Sequence, residues 1–188
     1  MRKNMGVCAG IFPMPVLLIS TYNEDGTVDM MNAAWGMMLD MDKVMLNLTE
    51  THKTVKNIKE RKAFTISLTD INHIVEADYV GLVSGNNTID KFEKTGFTSI
   101  KSDYVDAPII NELPLCMECE FIEYQSDETG GGVVGKIVNI SVDEKILNDD
   151  GKIDASLINT ICYDPFNHNY YEIGKKVGKA FSDGKKLK

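Results

Sequence analysis

The strongest constraint on the fold lies between Pro13 and Ala34. Two prolines, Pro13 and Pro15, punctuate the entry to Val16-Leu17-Leu18-Ile19-Ser20-Thr21-Tyr22, a near-continuous apolar run that ends in β-formers. Its length and flanks predict a strand buried on both faces. Asn23-Glu24-Asp25-Gly26 reads as a turn in which Gly26 takes a positive φ. Val28 to Ala34 then returns as the second arm of a hairpin.

Further strands follow the same logic. Val44-Met45-Leu46-Asn47-Leu48 and Ala63 to Leu68 alternate with period two, and between them Lys53 to Arg61 carries a helical period. Ile71, Ile74, Val75, Tyr79 and Leu82 recur at helical spacing, predicting a second helix that ends near Ser84-Gly85. Asp90 to Lys94 reads as a short third helix stopped by Gly96. Leu115 to Tyr124 and Val133 to Val142 are long β-type runs around Asp127-Glu128-Thr129-Gly130-Gly131-Gly132, a wide hairpin connection, and Asp149-Asp150-Gly151 is a further turn. The first ten residues are weakly patterned and are expected to lie over the body of the domain. Strands dominate and helices are inserted between hairpins. Such a mainly β chain must avoid exposed edges, which points to a barrel-like antiparallel sheet.

At 188 residues the chain is read as one domain, 1–188, long enough to bury roughly two thirds of its unfolded surface. The net charge of −8 argues against a nucleic-acid surface, which needs a basic stripe. No apolar run approaches the ~20 residues of a membrane-spanning helix. Four cysteines (Cys8, Cys116, Cys119, Cys162) without a signal peptide fit reduced thiols and a cytoplasmic location. Cys116 and Cys119 form a CxxC, but on a strand residues i and i+3 face opposite ways, so neither a shared metal nor a disulfide is expected. G-x-S-x-G and Walker motifs are absent, and the glycines from Gly130 to Gly135 lie in a hairpin connection and β-type run rather than between a strand and a helix, which argues against the Rossmann and P-loop readings.

The chemistry concentrates between Met30 and Asn57. Asn32-Ala33-Ala34-Trp35 combines small residues with an aromatic ring, so a flat ring system can approach the main chain. One short strand later Thr49, Thr51, His52, Lys53 and Thr54 lead directly into the helical pattern. A helix N-terminus presents unpaired N–H groups and partial positive charge, and with a lysine and hydroxyls it supplies the donors a phosphate monoester needs. Ser84-Gly85-Asn86-Asn87 is a second small-residue turn, followed by Lys91 as a second cation. The ordinary alternatives are core packing for Ala33, Ala34 and Trp35, a solvated helix start for the threonine cluster, and a helix C-cap for Ser84-Gly85.

Taken in order, these segments resemble the flavin reductase-like, or flavoredoxin-type, family. The resemblance rests on Pro13-Met14-Pro15-Val16 to Thr21, Asn32 to Trp35, Thr51-His52-Lys53-Thr54 with Asn57-Ile58, and Ala77-Asp78-Tyr79-Val80-Gly81 with Ser84-Gly85-Asn86. Asp90-Lys91-Phe92 with Gly96-Phe97, Leu113 to Cys119, Gly135 to Val138 and Tyr163-Asp164-Pro165 extend it over nearly the whole chain. The resemblance implies an FMN-binding split β-barrel that forms a homodimer, with the flavin near the subunit interface. Asn32, Ala33, Ala34 and Trp35 would line the isoalloxazine, while Thr49, His52, Lys53, Thr54 and Lys91 would hold ribityl and phosphate, with Ser84 alongside. The aromatic tail from about residue 163 (Tyr163, Phe166, Tyr170, Tyr171) would pack on the barrel or cover the partner's flavin. The flavin would carry the redox chemistry, with NAD(P)H as reductant, so no side chain is nominated as catalytic and no metal is expected. Two other readings stay open: an electron-transfer module reduced by a partner protein without its own nicotinamide site, and a flavin-free structural dimer.

Overall fold

The computed structural model describes residues 1–127 and 130–188. Glu128 and Thr129, the centre of the expected hairpin connection, lie outside the described residues. Among the described residues, twelve strands and two α-helices follow in chain order: β1 (Met14–Pro15), β2 (Leu17–Tyr22), β3 (Val28–Ala33), β4 (Gly36–Asp40), β5 (Lys43–Leu46), α1 (Lys53–Arg61), β6 (Ala63–Leu68), α2 (Ile74–Leu82), β7 (Ser99–Lys101), β8 (Pro108–Ile110), β9 (Leu115–Asp127), β10 (Gly130–Val142), β11 (Ile161–Asp164) and β12 (Asn169–Glu172).

Seven strands form one antiparallel sheet in the order β3-β2-β6-β9-β10-β5-β4. Its edge strands, β3 and β4, are joined by Ala34 and Trp35 alone. Three Cα steps reach at most about 11 Å, whereas six strand spacings in a flat sheet would separate the edges by roughly 29 Å. The sheet must therefore curl until its edges meet, and side chains confirm that they do. Leu17 and Ala33 from one edge pack in the same core as Val44 and Leu46 from the other. Between them Gly36 has no room for a side chain: a Cβ there would stand 2.5 Å from Leu17 Cδ1.

Barrel interior and exterior follow the period-two alternation. Leu17 and Ile19 point inward with Phe64, Ile66 and Cys119. Leu18 and Val16 point outward into a second core with Met30, Ala77, Val80, Phe92, Phe97 and Ile161. This explains why β2 is apolar throughout. Helix α1 plugs one end of the barrel with Val55 and Ile58, both fully buried. Helix α2 lies over β3, and the β11–β12 hairpin pairs with β1, bringing Tyr163 and Tyr170 against the second core.

Several expectations change in detail. The second helix begins at Ile74 rather than Ile71, because the Asp70 carboxylate captures Asn72 N (2.9 Å) and the His73 ring (2.7 Å) in a turn of its own. The segment near Lys91 is a 3-10 turn at Glu93–Thr95, closed by Gly96 at φ 72°. Residues 1–12 are exposed, and Phe12 sets its ring edge-on against Tyr171, 6.0 Å between centroids. On β9 the two CxxC thiols do face apart: Cys119 lies in the barrel core, whereas Cys116 pairs across to Ser67 on the outer face. Both are free thiols, and burial pushes that of Cys116 up to about 11. Among the described residues no helix is long and apolar enough to cross a membrane.

Candidate functional site

A trough runs from the barrel seam to the N-terminus of α1 as three adjoining cavities. The first, about 250 Å³, is walled by Asn32, Ala33, Ala34 and Trp35 at the seam, by Val16, by Asp78, Gly81 and Leu82 of α2, and by Tyr163 and Tyr170 of the hairpin. The second, also about 250 Å³, shares Asn32, Gly81 and Leu82 with the first. It continues past Met31, Val80 and Val83 to His52, Lys53, Thr54, Ser84, Gly85 and Lys91. The third, about 660 Å³, shares Lys53, Gly85 and Lys91 and opens towards the Asn23–Gly26 turn. The ring-sized and phosphate-sized elements expected from the sequence are thus neighbours in space.

At the second cavity the donors converge. His52 precedes α1 in an extended conformation and makes no side-chain cap. Lys56 is the first residue of α1 to close a backbone bond, donating to His52 O at 3.1 Å. Among the described residues nothing accepts from the N–H groups of Lys53, Thr54 and Val55, so the positive end of the helix is open. Lys91 is only 4% exposed yet lines the cavity, and among the described residues no group hydrogen-bonds or ion-pairs its ammonium. Burial pulls its pKa below the ordinary lysine value, opposed by the nearby charge of Asp29. Asp29 acts on it only from beyond ion-pair distance, and a buried ammonium with no hydrogen-bond partner is costly, so this one marks a place for an anion.

Asp29, on β3, was not anticipated. It is 3% exposed and accepts from Thr54 Oγ1 at 2.5 Å. Burial pushes its carboxyl above the usual range, while the Thr54 hydrogen bond and the charges of Lys91 and Lys53 pull the other way. The Thr54 hydroxyl proton is therefore committed to Asp29, leaving its backbone N–H for a ligand. Gly85 completes the packing, because a Cβ there would land against Asp29 Oδ1 and within 3.2 Å of the Lys53 stem. A carboxylate on a strand that is otherwise apolar on its buried face was the available signal for Asp29.

The seam cavity carries a second polar group. Tyr170 Oη donates to Asp78 Oδ1 at 2.8 Å, and the Asn32 amide donates to Ala77 O at 3.0 Å, fixing Asn32 against α2. Burial, then the Asp78 hydrogen bond, pushes the Tyr170 phenol up to about 12, so it keeps its proton near neutrality. Tyr163 Oη lies 2.5 Å from His168 Nδ1. Trp35 is 53% exposed at the cavity mouth.

Of the ten residues expected to bind, Asn32, Ala33, Ala34 and Trp35 line the seam cavity, and His52, Lys53, Thr54, Ser84 and Lys91 join Asn32 in the second. Thr49 lines none of the three. It is exposed, and its carbonyl accepts from His52 N at 3.1 Å.

A family model described as the flavin reductase like domain matches residues 9–159. Among solved structures, the flavoredoxin of Desulfovibrio vulgaris (Miyazaki F) superposes with a TM-score of 0.92 at 33% identity, covering 98% of this chain and 100% of that one. The flavoredoxin from Methanosarcina acetivorans gives 0.87 at 25% identity, covering 100% and 98%. A Shewanella frigidimarina protein described as a flavin reductase with a split barrel domain gives 0.79 at 22%, covering 90% and 86%, and shares the fold.

Proposed function

Since the chain belongs to the flavin reductase like domain family, we propose that it is a flavoprotein oxidoreductase whose trough holds FMN. The observation that carries this reading is the buried Lys91, whose ammonium no described group hydrogen-bonds, lining the same cavity as the open N-terminus of α1, next to the barrel-seam cavity. Lys53, Lys91 and the N–H groups of Lys53, Thr54 and Val55 would hold the phosphate, with His52, Ser84 and Gly85 around it. Met31, Asn32 and Gly81 line the passage a ribityl chain would occupy. Asn32 to Trp35 would face the ring, with Tyr163 and Tyr170 opposite.

When bound, the flavin supplies hydride and single-electron transfer; the chain positions it and sets its surroundings. The Asn32 side chain, held by Ala77 O, has its own carbonyl left for a ring N–H. Tyr170, with its raised pKa, remains a neutral phenol near neutrality and donates to the Asp78 carboxylate that shares the seam cavity wall.

The reductant in this reading is NADH or NADPH. The likeness to two proteins named flavoredoxins favours examining a second one, in which a partner redox protein reduces the flavin. Anaerobic addition of each nucleotide to the yellow protein decides between them. Rapid bleaching supports the first; colour that persists under both nucleotides and fades with a reduced partner protein supports the second. A colourless preparation that binds no added FMN would refute both.

We also propose that the protein works as a homodimer. Edge strand β4 exposes Met37, Met38 and Leu39 beside Trp35 and Met41. Such an apolar edge is suited to cover by a second copy, and it borders the seam cavity through Trp35.

A further inference from the structure

The C-terminal segment, residues 173–188, is built unlike the rest of the chain. Ile173 N donates to Thr160 O at 3.1 Å; beyond it, among the described residues, no hydrogen bond ties the segment to the body. Val177, Phe181 and Leu187 are 93, 99 and 94% exposed. Six lysines stand there against one aspartate, a net charge of +5. Lys176 acts on Asp154 of its own body from beyond ion-pair distance, and among the described residues none of the six lysines makes an ion pair. Residues 13–172, by contrast, carry twelve basic and twenty-seven acidic side chains, a net −15. An anionic lipid surface or an acidic partner protein that attracts the arm must therefore also accept a body it repels. Two such bodies repel each other as well, but an exchanged arm brings positive charge and apolar side chains to the contact.

Strand β4 offers the matching surface. Among the described residues it pairs with β5 alone, so its other edge is free. Met37, Met38 and Leu39 are consecutive and point to alternate faces, yet all three are exposed, so the strand stands clear on both sides. Asp40 and Asp42 rim it; both are exposed, and neither makes an ion pair among the described residues. An extended segment adds to such an edge through main-chain hydrogen bonds and gains specificity from its side chains. The run Lys175-Lys176-Val177-Gly178-Lys179 supplies an apolar side chain for the methionines and cations for the aspartates. Reach is sufficient: residues 173–188 extend up to about 53 Å, against a radius of gyration of about 16 Å for a chain of this length.

Resting on the pairing of two copies proposed above, we infer that the C-terminal arm of each copy lies along strand β4 of the other, its lysines meeting Asp40 and Asp42, and covers the mouth of the seam cavity at Trp35. Trp35 joins β3 to β4, walls that cavity and is 53% exposed in the single chain. The candidate site is then complete only in the pair, with its outer side supplied by the second copy's arm.

Trp35 is the chain's single tryptophan, so its emission reports on that mouth. In the flavin-free protein, a variant ending at Glu172 should emit further to the red than the full chain and be quenched more readily by acrylamide. Sedimentation should show its pairing weakened at least about tenfold. Lys175→Glu/Lys176→Glu/Lys179→Glu, which keeps the length of the arm, should act in the same direction, as should added salt on the full chain. Circular dichroism melts control for folding. Carbodiimide coupling of mixed light- and heavy-nitrogen full chains then locates the arm. Peptides joining Lys175, Lys176 or Lys179 to Asp40 or Asp42 should include pairs with a different isotope on each side. Same-isotope links alone, arm links to other carboxylates, or a truncated chain matching the full one in emission and pairing would overturn the inference, leaving the pairing and the flavin reading in place. A full chain that sediments as one copy would overturn the pairing and the inference together. Flotation of the full chain, but not the truncated one, with phosphatidylglycerol–phosphatidylcholine vesicles would assign the arm to a lipid surface and overturn the inference too.

Discussion

Replacing Asp29 by asparagine keeps an acceptor for the Thr54 hydroxyl and removes a charge that burial opposes. Because the folded-state pKa of Asp29 lies above its ordinary 3.8, the folded protein binds more protons than the unfolded one between those two values. Stability therefore falls as pH rises through that window and stays lower above it. Asp29→Asn is expected to stabilise the flavin-free protein at pH 7 and to lose that advantage below about pH 3.8. Urea melts at pH 7 and 3.5 check this, and a variant less stable than wild type at pH 7 would refute it. Lys53→Ala removes a charge-assisted contact worth roughly 1.5–3 kcal/mol, so FMN should dissociate about 10- to 150-fold more readily, measured by equilibrium titration. Gly85→Ala should weaken FMN as well, through the collision with Asp29 and the Lys53 stem rather than through charge. At this scale the sequence displayed donors but not their commitments. Lys53 and Thr54 were legible as a phosphate-sized cluster. That Thr54 gives its hydroxyl to a strand residue 25 positions earlier depends on the barrel bringing β3 beside α1, which no local spacing records.

Helix α1 spans nine residues, too few to persist alone in water; it stands because Val55 and Ile58 are sunk in the barrel end. Ile58→Ala should cost about 2–5 kcal/mol in a denaturant melt. Weakened FMN retention should accompany it, since the same helix carries the open N–H groups. The helix bounds were readable because its apolar residues fall on one face. Strand β4 was not, and the reason is physical. Gly36-Met37-Met38-Leu39-Asp40 is apolar without alternation, and its side chains stay exposed, so neither burial period leaves a mark. Strands β7 and β8 span three residues each and are fixed by pairing with each other. In the C-terminal tail the aromatics were visible, but not their arrangement: Tyr163 sits across from Tyr170 in a hairpin docked on two residues of β1.

For the molecule as a whole, the proposed pairing of two copies predicts that sedimentation will report about twice the mass of one chain. Met37→Glu with Met38→Glu should shift that value to a single chain without unfolding the barrel, because both side chains are exposed in the isolated chain. A wild type that sediments as one chain at micromolar concentration would refute the pairing. Barrel character was inferred from strand abundance and the need to hide edges; the direct proof is the two-residue link between β3 and β4. That link has a consequence for how the protein should behave when its ligand is withdrawn. The hoop is fastened at Ala34 and Trp35, and these same residues form one wall of the cavity. Whatever fills the cavity also leans on the clasp. Emptying it should let the cylinder spring at that point first, so hydrogen exchange around residues 33–36 is expected to quicken before the opposite staves at β6 and β9 register any change.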